Sequence, residues 1–334
     1  MADSPFHSDF QQLSRLIQER RTEVLRHVNR SLIDLYWETG KILSRRIEDG
    51  QWGKGTIREL AAFLQQEHPG LRGFSASNLW RMRQFYETYR GNEKLAPLVR
   101  ELPWSSNLLI MGRAKTEEER HFYLGMAGRE QWSRRALERQ IDGALFERSV
   151  LTPAKLAPVV RELHPAAAET FKDAYLVDFL DLPESHSERD LHQGLLKNLS
   201  LFLAELGRDF CFIGSEHPIQ VGNQDFFLDL LFFHRELNCL VAIELKITAF
   251  DPAHLGQLNF YLEALDRDVK KPRENPSIGI LLCASKDDEV VEYALSRSLS
   301  PALVAEYQTK LPDKALLQAK LHEFLELGED MTDE

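Results

Sequence analysis

Residues 225–246 read DFFLDLLFFHRELNCLVAIELK, two runs rich in aromatic and branched aliphatic residues on either side of the polar stretch HRELN. That pattern predicts strands over 225–233 and 239–246 joined by a short hairpin connection. Strands this apolar on both faces belong inside a sheet that is covered on both sides. Any charge in them has to be accounted for, because a carboxylate or ammonium taken out of water without a partner is strongly destabilising. Asp229 is the only charge among Phe226–Phe233. In the second strand, alternation puts Ala242, Glu244 and Lys246 on one face and Val241, Ile243 and Leu245 on the other. Pairing through the hairpin then brings Asp229 beside Glu244.

Two readings fit this constellation. Oxygen ligands suit a hard cation such as Mg²⁺, which lowers the pKa of a bound water, and an adjacent Lys can act on that water. Alternatively, Asp229 and Lys246 form a buried structural ion pair that Glu244 closes. The spacing alone leaves both open.

The remainder of the chain organises around this hairpin. Apolar residues at intervals of three, four and seven predict one long helix, or two stacked end to end, over 9–47. Further helices are expected over 56–66, capped by Thr56 with Glu59 completing a capping box, over 78–89, capped by Ser75 or Ser77, and over 116–127 and 132–146. The helix 78–89 region carries Arg81, Arg83 and Arg90 beside Trp80, Phe85 and Tyr86. Helix, turn and Arg-bearing helix is compatible with a helix-turn-helix reader of DNA, and equally with a solvated surface helix. Residues 149–187, with Pro153, Pro158, Pro165 and Pro183, read as a linker with a short helix over 175–182. After it, Ser187 opens a helix over 188–206. Strands 210–214 and 217–221 lead into the hairpin, followed by helix 252–265, strand 277–285, helix 287–296 and strand 302–307. The expected class is α+β: a helical domain over 8–148, a linker over 149–187, and a mixed sheet flanked by helices over 188–328.

The net charge of −11 is unevenly placed: residues 1–150 hold 24 Lys and Arg against 20 Asp and Glu, a balance of +4, and 151–334 hold the remaining −15. The first half can therefore meet phosphates even though the whole chain is acidic. No apolar run reaches the roughly 20 residues of a membrane helix, and the start MADSPFHSDFQQ lacks a secretory signal pattern, so a cytoplasmic protein without membrane contact is expected. Cys211, Cys239 and Cys283 each sit in apolar stretches and read as buried reduced thiols, not as a disulfide frame or a zinc knuckle.

Asp229 followed by Glu244-Leu245-Lys246 on consecutive strands resembles the PD-(D/E)XK nuclease superfamily. The wider stretch is similar to its YhcG-type bacterial branch: Glu188-Arg189-Asp190-Leu191, FLAELG at 202–207, the hairpin itself, GQLNFYL at 256–262, SIGILLC at 277–283, VVEYAL at 290–295 and VAEY at 304–307. GFSASNL at 73–79, LPWSSN at 102–107 and WSRRALERQI at 132–141 resemble that branch's helical domain of unknown function. The resemblance implies a restriction-endonuclease-like αβββαβ core in which Asp229, Glu244 and the Leu245 carbonyl hold Mg²⁺, with Mn²⁺ as a substitute. Lys246 would orient or deprotonate the attacking water and stabilise charge on the phosphorus. Glu188 matches the extra acid of many members, and also suits a helix start. Gln257 and Tyr261 fit the Gln-x-x-x-Tyr pattern of RecB-like members that flanks the active site, and also a packing Tyr beside a surface Gln. Two positions depart from the family pattern. Ser106 stands where the helical domain usually has His, and Ala253 where an acid often follows the proline.

The expected function is a Mg²⁺-dependent endonuclease acting on DNA, in foreign-DNA restriction, mobile-element processing or repair. It would act alone, as a homodimer or in a larger assembly, with DNA contacts from Arg81, Arg83 and Arg90. The competing expectation is a catalytically inactive DNA-binding or assembly protein that keeps the fold as scaffold. An RNA-directed nuclease is a third.

Overall fold

From His7 to Glu48 the three-and-four apolar period runs without Gly or Pro until Gly40, and the chain forms one helix. The computed structural model describes residues 7–92, 94–183 and 185–330. The chain divides into two compact units, residues 1–141 and 142–334.

In the first unit, helices Lys54–Glu67, Ala76–Tyr89, Leu95–Glu101, Trp104–Arg113, Glu117–Arg129 and Arg134–Asp142 follow the long one. Leu79, Met82, Phe85 and Tyr89 form the buried face of Ala76–Tyr89. Leu79 and Met82 cluster with Tyr36 and Leu43 of the long helix and with Ile57. Gly40 permits the crossing, because a Cβ there would lie 2.1 Å from the Met82 carbonyl oxygen. Ser75 accepts the Asn78 amide, as expected of one of the two serines, and Thr116 accepts that of Glu119. Thr56 does not cap. Its helix starts at Lys54, and the Thr56 hydroxyl accepts the Gly53 amide from inside the first turn. The two helices of 95–113 were not expected, since Pro97 and Pro103 punctuate the segment. Pro97 instead sits in the first turn, where its missing N–H costs nothing, and Pro103 is the N-cap of the next helix.

The second unit is built on a seven-stranded sheet: β1 (Lys155–Leu156), β2 (Ala174–Leu176), β3 (Phe210–Val221), β4 (Gln224–His234), β5 (Cys239–Ala249), β6 (Asn275–Ser285) and β7 (Ala302–Gln308). The order is β1-β7-β6-β5-β4-β3, with β2 also on β7. β3, β4 and β5 form an antiparallel meander, and β5, β6 and β7 run parallel. Helices Glu188–Lys197 and Leu199–Leu206 precede the meander and His254–Ala264 follows it, which gives the expected αβββαβ order. β5 and β6 are buried along most of their length, as their unbroken apolar runs require. Gly279 in β6 lets Leu258 of helix His254–Ala264 lie on the sheet, since a Cβ there would meet its side chain at 2.8 Å.

Several expectations change here. Residues 149–187 are not an unstructured connection. β1 runs antiparallel and β2 parallel along the outer edge of β7, so this segment closes an edge that would otherwise stand open. The expected helix over 175–182 is β2 followed by a single 3-10 turn, Asp178–Leu180. Strands of two and three residues carry no readable alternation. The two strands of 210–221 are one, interrupted by a bulge after Phe212, and the helix over 188–206 breaks at Asn198. Cys211 lies exposed on that edge strand, while Cys239 and Cys283 are buried. Among the described residues no helix is long and apolar enough to cross a membrane.

Candidate active site

The β4–β5 ladder runs from His234↔Cys239 to Leu230↔Ile243 and ends there. One more step would set Asp229 opposite Glu244. Instead, the Asp229 side chain takes over from the backbone: its Oδ2 accepts the Leu245 amide at 2.8 Å. Two β4 carbonyls beyond the end of the ladder find partners from flanking helices. His192 Nε2 lies 3.2 Å from the Asp229 carbonyl oxygen, and the Tyr261 hydroxyl donates to that of Phe227 at 3.1 Å. Gln257 Nε2 donates to the same hydroxyl at 3.0 Å. The part of β4 that carries Asp229 is thus held by side chains where its ladder with β5 ends.

Glu244 is only 2% exposed. Its Oε1 accepts from Lys246 Nζ at 3.0 Å, while its Oε2 is buried with no hydrogen-bond partner. Burial, then the neighbouring Asp229 charge, pushes the Glu244 carboxyl up to about 7. Burial likewise raises Asp229, against the pull of the Leu245 amide and the Lys246 charge. For Lys246, burial alone would favour the neutral amine, but the Glu244 bond and the charges of Glu244, Glu188 and Asp229 together raise it. Two carboxylates disfavoured as anions beside an ammonium form a site short of positive charge.

Asp229, Glu244 and Lys246 therefore come together. Glu188 is exposed at the first position of its helix, behind the Ser187–Asp190 capping box, and contributes charge to the site without joining a ligand cluster. Gln257 and Tyr261 act on the Phe227 carbonyl, not on Glu244. His192 was not anticipated. Its position one helical turn beyond Glu188, on the same face, was the signal available. Among the described residues no three His, Cys, Asp or Glu side chains gather as a metal cluster. The donor set still fits a hard divalent cation: two oxygens, one of them buried and unpartnered, with the rest of the shell left to a backbone carbonyl, water or phosphate, as Mg²⁺ commonly accepts.

In the first unit, Arg81 is exposed. Arg83 is half-buried, bonded to Glu87 at 2.6 Å and lying over the Trp80 ring at 5.3 Å. Arg90 pairs with Glu48 at 3.0 Å. The connection 68–75 is longer than the roughly 3–4-residue turn of a helix-turn-helix. Trp80, Arg81, Arg83, Gln84 and Glu87 line an open depression of about 410 Å³. Ser106 is buried, so the departure at that position lies inside the unit.

Residues 168–322 match the family described as the YhcG PDDEXK nuclease domain, and residues 12–148 match the DUF1016 N-terminal domain. The chain is 32% identical over 342 aligned positions to the Escherichia coli (strain K12) protein YhcG, whose name assigns it as a nuclease, covering 92% of this chain and 91% of that one. Among solved structures it is similar to a repair endonuclease from Pyrococcus abyssi, at 17% identity and a TM-score of 0.25 over 40% of this chain and 50% of that one. It is also similar to EndoMS in its apo form, at 17% identity and a TM-score of 0.24 over 40% and 49%.

Proposed function

This chain belongs to the YhcG family of PDDEXK nucleases with an N-terminal DUF1016 domain, and from that premise we propose that it is a metal-dependent endonuclease hydrolysing DNA phosphodiester bonds. The observation that carries the reading is Glu244: a buried carboxylate with one oxygen unpartnered, next to Asp229 and bonded to Lys246. A purely structural ion pair gives no reason to leave that oxygen unsatisfied, since a buried acceptor without a partner is destabilising.

Asp229, Glu244 and the Leu245 carbonyl would hold Mg²⁺, or Mn²⁺ in its place. The cation supplies Lewis acidity and a more acidic bound water. Lys246, an ammonium in the metal-free site, orients that water and stabilises negative charge developing on the phosphate oxygens. Tyr261 and His192 fix the part of β4 from which Asp229 projects. Arg81, and with it Arg83 and Arg90, would contact the DNA backbone from the helical unit.

Cleavage of single-stranded, duplex and branched DNA with Mg²⁺ or Mn²⁺ tests this. Asp229→Ala and Glu244→Ala are expected to abolish cleavage while DNA binding in Ca²⁺ persists. Lys246→Ala should leave metal binding largely intact and slow the chemical step by roughly 10²-fold or more. A wild type that cuts none of these substrates, with the three variants merely less stable, would instead establish the scaffold reading, its buried ion pair being Lys246 with Glu244 and not the pair of Lys246 with Asp229 expected from the sequence.

A further inference from the structure

Among the described residues, the first part of the long helix has no side chain buried by its own unit. Every side chain from Asp9 to Val28 is exposed. Over roughly 30 Å, at 1.5 Å per residue, this stretch lacks the side-chain burial that usually stabilises a helix in water. Its exposed residues are not uniformly polar. Leu13, Ile17, Val24, Val28, Leu32, Leu35 and Ile42 fall on one stripe at the helical period, each between 37% and 61% exposed. From Ile33 onward the other side of the same helix is buried against its own unit through Ile33, Tyr36 and Leu43. The stripe is thus a second apolar face, spare after the unit's core is complete.

The order of residues along the stripe identifies the occupant. Reading outward from Asn29-Arg30, the positions mirror one another: Val28 with Leu32, Val24 with Leu35, Arg21 with Thr39, and Ile17 with Ile42. A two-fold axis near residues 29–30 therefore stacks the stripe on itself in an antiparallel pair, apolar layer on apolar layer. The one basic residue within the stripe, Arg21, then meets a hydroxyl and not a hydrocarbon. The flanks agree. Arg20 and Glu38 are separated by five helical turns and so lie on the same side of the stripe, and antiparallel helices bring like flanks together. Arg20 of one copy reaches Glu38 of the other. In a parallel pair Arg21, within the stripe, would face its own copy.

We propose that the stripe Leu13–Ile42 is the interface of an antiparallel homodimer, its occupant the same stripe of a second copy of this chain. The self-complementary pattern is what an isologous two-fold contact requires.

Light scattering coupled to size exclusion on the full chain reads the state directly, with twice the 38.5 kDa of one chain expected. Val28→Asp with Leu35→Asp should return the monomer mass and raise the dissociation constant at least about tenfold, as charges in a coiled-coil seam do. Because both positions are exposed in the single chain, its circular dichroism and unfolding midpoint should hold at monomeric concentration. Cross-linking separates the arrangements. With exposed Cys211 replaced by Ser, Val24→Cys combined with Leu35→Cys should form an intermolecular disulfide, and Val24→Cys alone should not. A monomeric wild type, a dimer indifferent to the Asp substitutions, or cross-linking by Val24→Cys alone would each overturn the proposal.

Discussion

At Glu244, burial and the Asp229 charge favour the neutral acid in the folded protein, with the carboxyl near 7 against an ordinary value of 4.5. A carboxyl raised on folding stabilises below its unfolded pKa, and that contribution is lost as pH rises through the folded value. Metal-free protein should therefore lose stability as pH rises from about 4.5 through about 7 from this group, and Glu244→Gln should flatten that dependence in thermal melts. A cation needs the ionised form, so Mg²⁺ affinity measured by calorimetry should fall about tenfold from pH 8 to pH 6, with protons released on binding at the lower pH. Equal affinity at both values would remove Glu244 from the ligand set. His192 makes a different demand. Its contact is with the Asp229 carbonyl, not with the carboxylate, so His192→Ala should loosen the placement of Asp229. The Mg²⁺ concentration needed for half-maximal cleavage should rise about tenfold, with His192→Gln recovering part of the loss. A variant identical to wild type would show that this part of β4 is held without it.

Among the elements, the hairpin was the most legible, because 225–246 combines strand composition, a short polar connection and charges at alternate positions. Its continuation was not. That the ladder stops at Leu230↔Ile243, and that Tyr261 and His192 satisfy the freed carbonyls, depends on contacts with helices distant in sequence. Helix starts at Ser75 and Ser187 could be read because a side-chain acceptor three residues before a free amide is a local signal. β1 and β2 could not, because strands of that length exist only by virtue of the β7 edge they cover. Gly40 belongs to the same class. Nothing in the sequence singles it out, yet the crossing of the long helix with Ala76–Tyr89 leaves no room for a methyl group. Gly40→Ala should destabilise the helical unit by about 1–3 kcal/mol in denaturant unfolding, the usual penalty of overpacking. Gly55→Ala, where a Cβ meets nothing within 4 Å, is the control expected to stay neutral or gain.

Over the whole molecule the charge is divided, +4 in residues 1–150 and −15 in the remainder, so phosphate contact should concentrate in the helical unit. Arg83 and Arg90 already hold acids, which leaves Arg81 as the more available cation of the three. Arg81→Ala should weaken DNA binding alike on unrelated sequences and reduce the slope of log affinity against log salt by about 0.9, the value for one phosphate contact. An unchanged slope would move the DNA surface elsewhere. Pairing of two chains through the long helix bears on the cut itself. One nuclease unit carries one Asp229–Glu244–Lys246 constellation, whereas a duplex has two strands of opposite polarity that a two-fold pair of sites can address together. On supercoiled plasmid with Mg²⁺, wild type should therefore pass to linear product with little accumulation of the nicked circle. The Val28→Asp, Leu35→Asp variant should accumulate nicked circles before linear product appears, because each strand then waits for a separate encounter. If its ratio of nicked to linear product matches wild type, the paired helices serve another purpose and each site cuts independently.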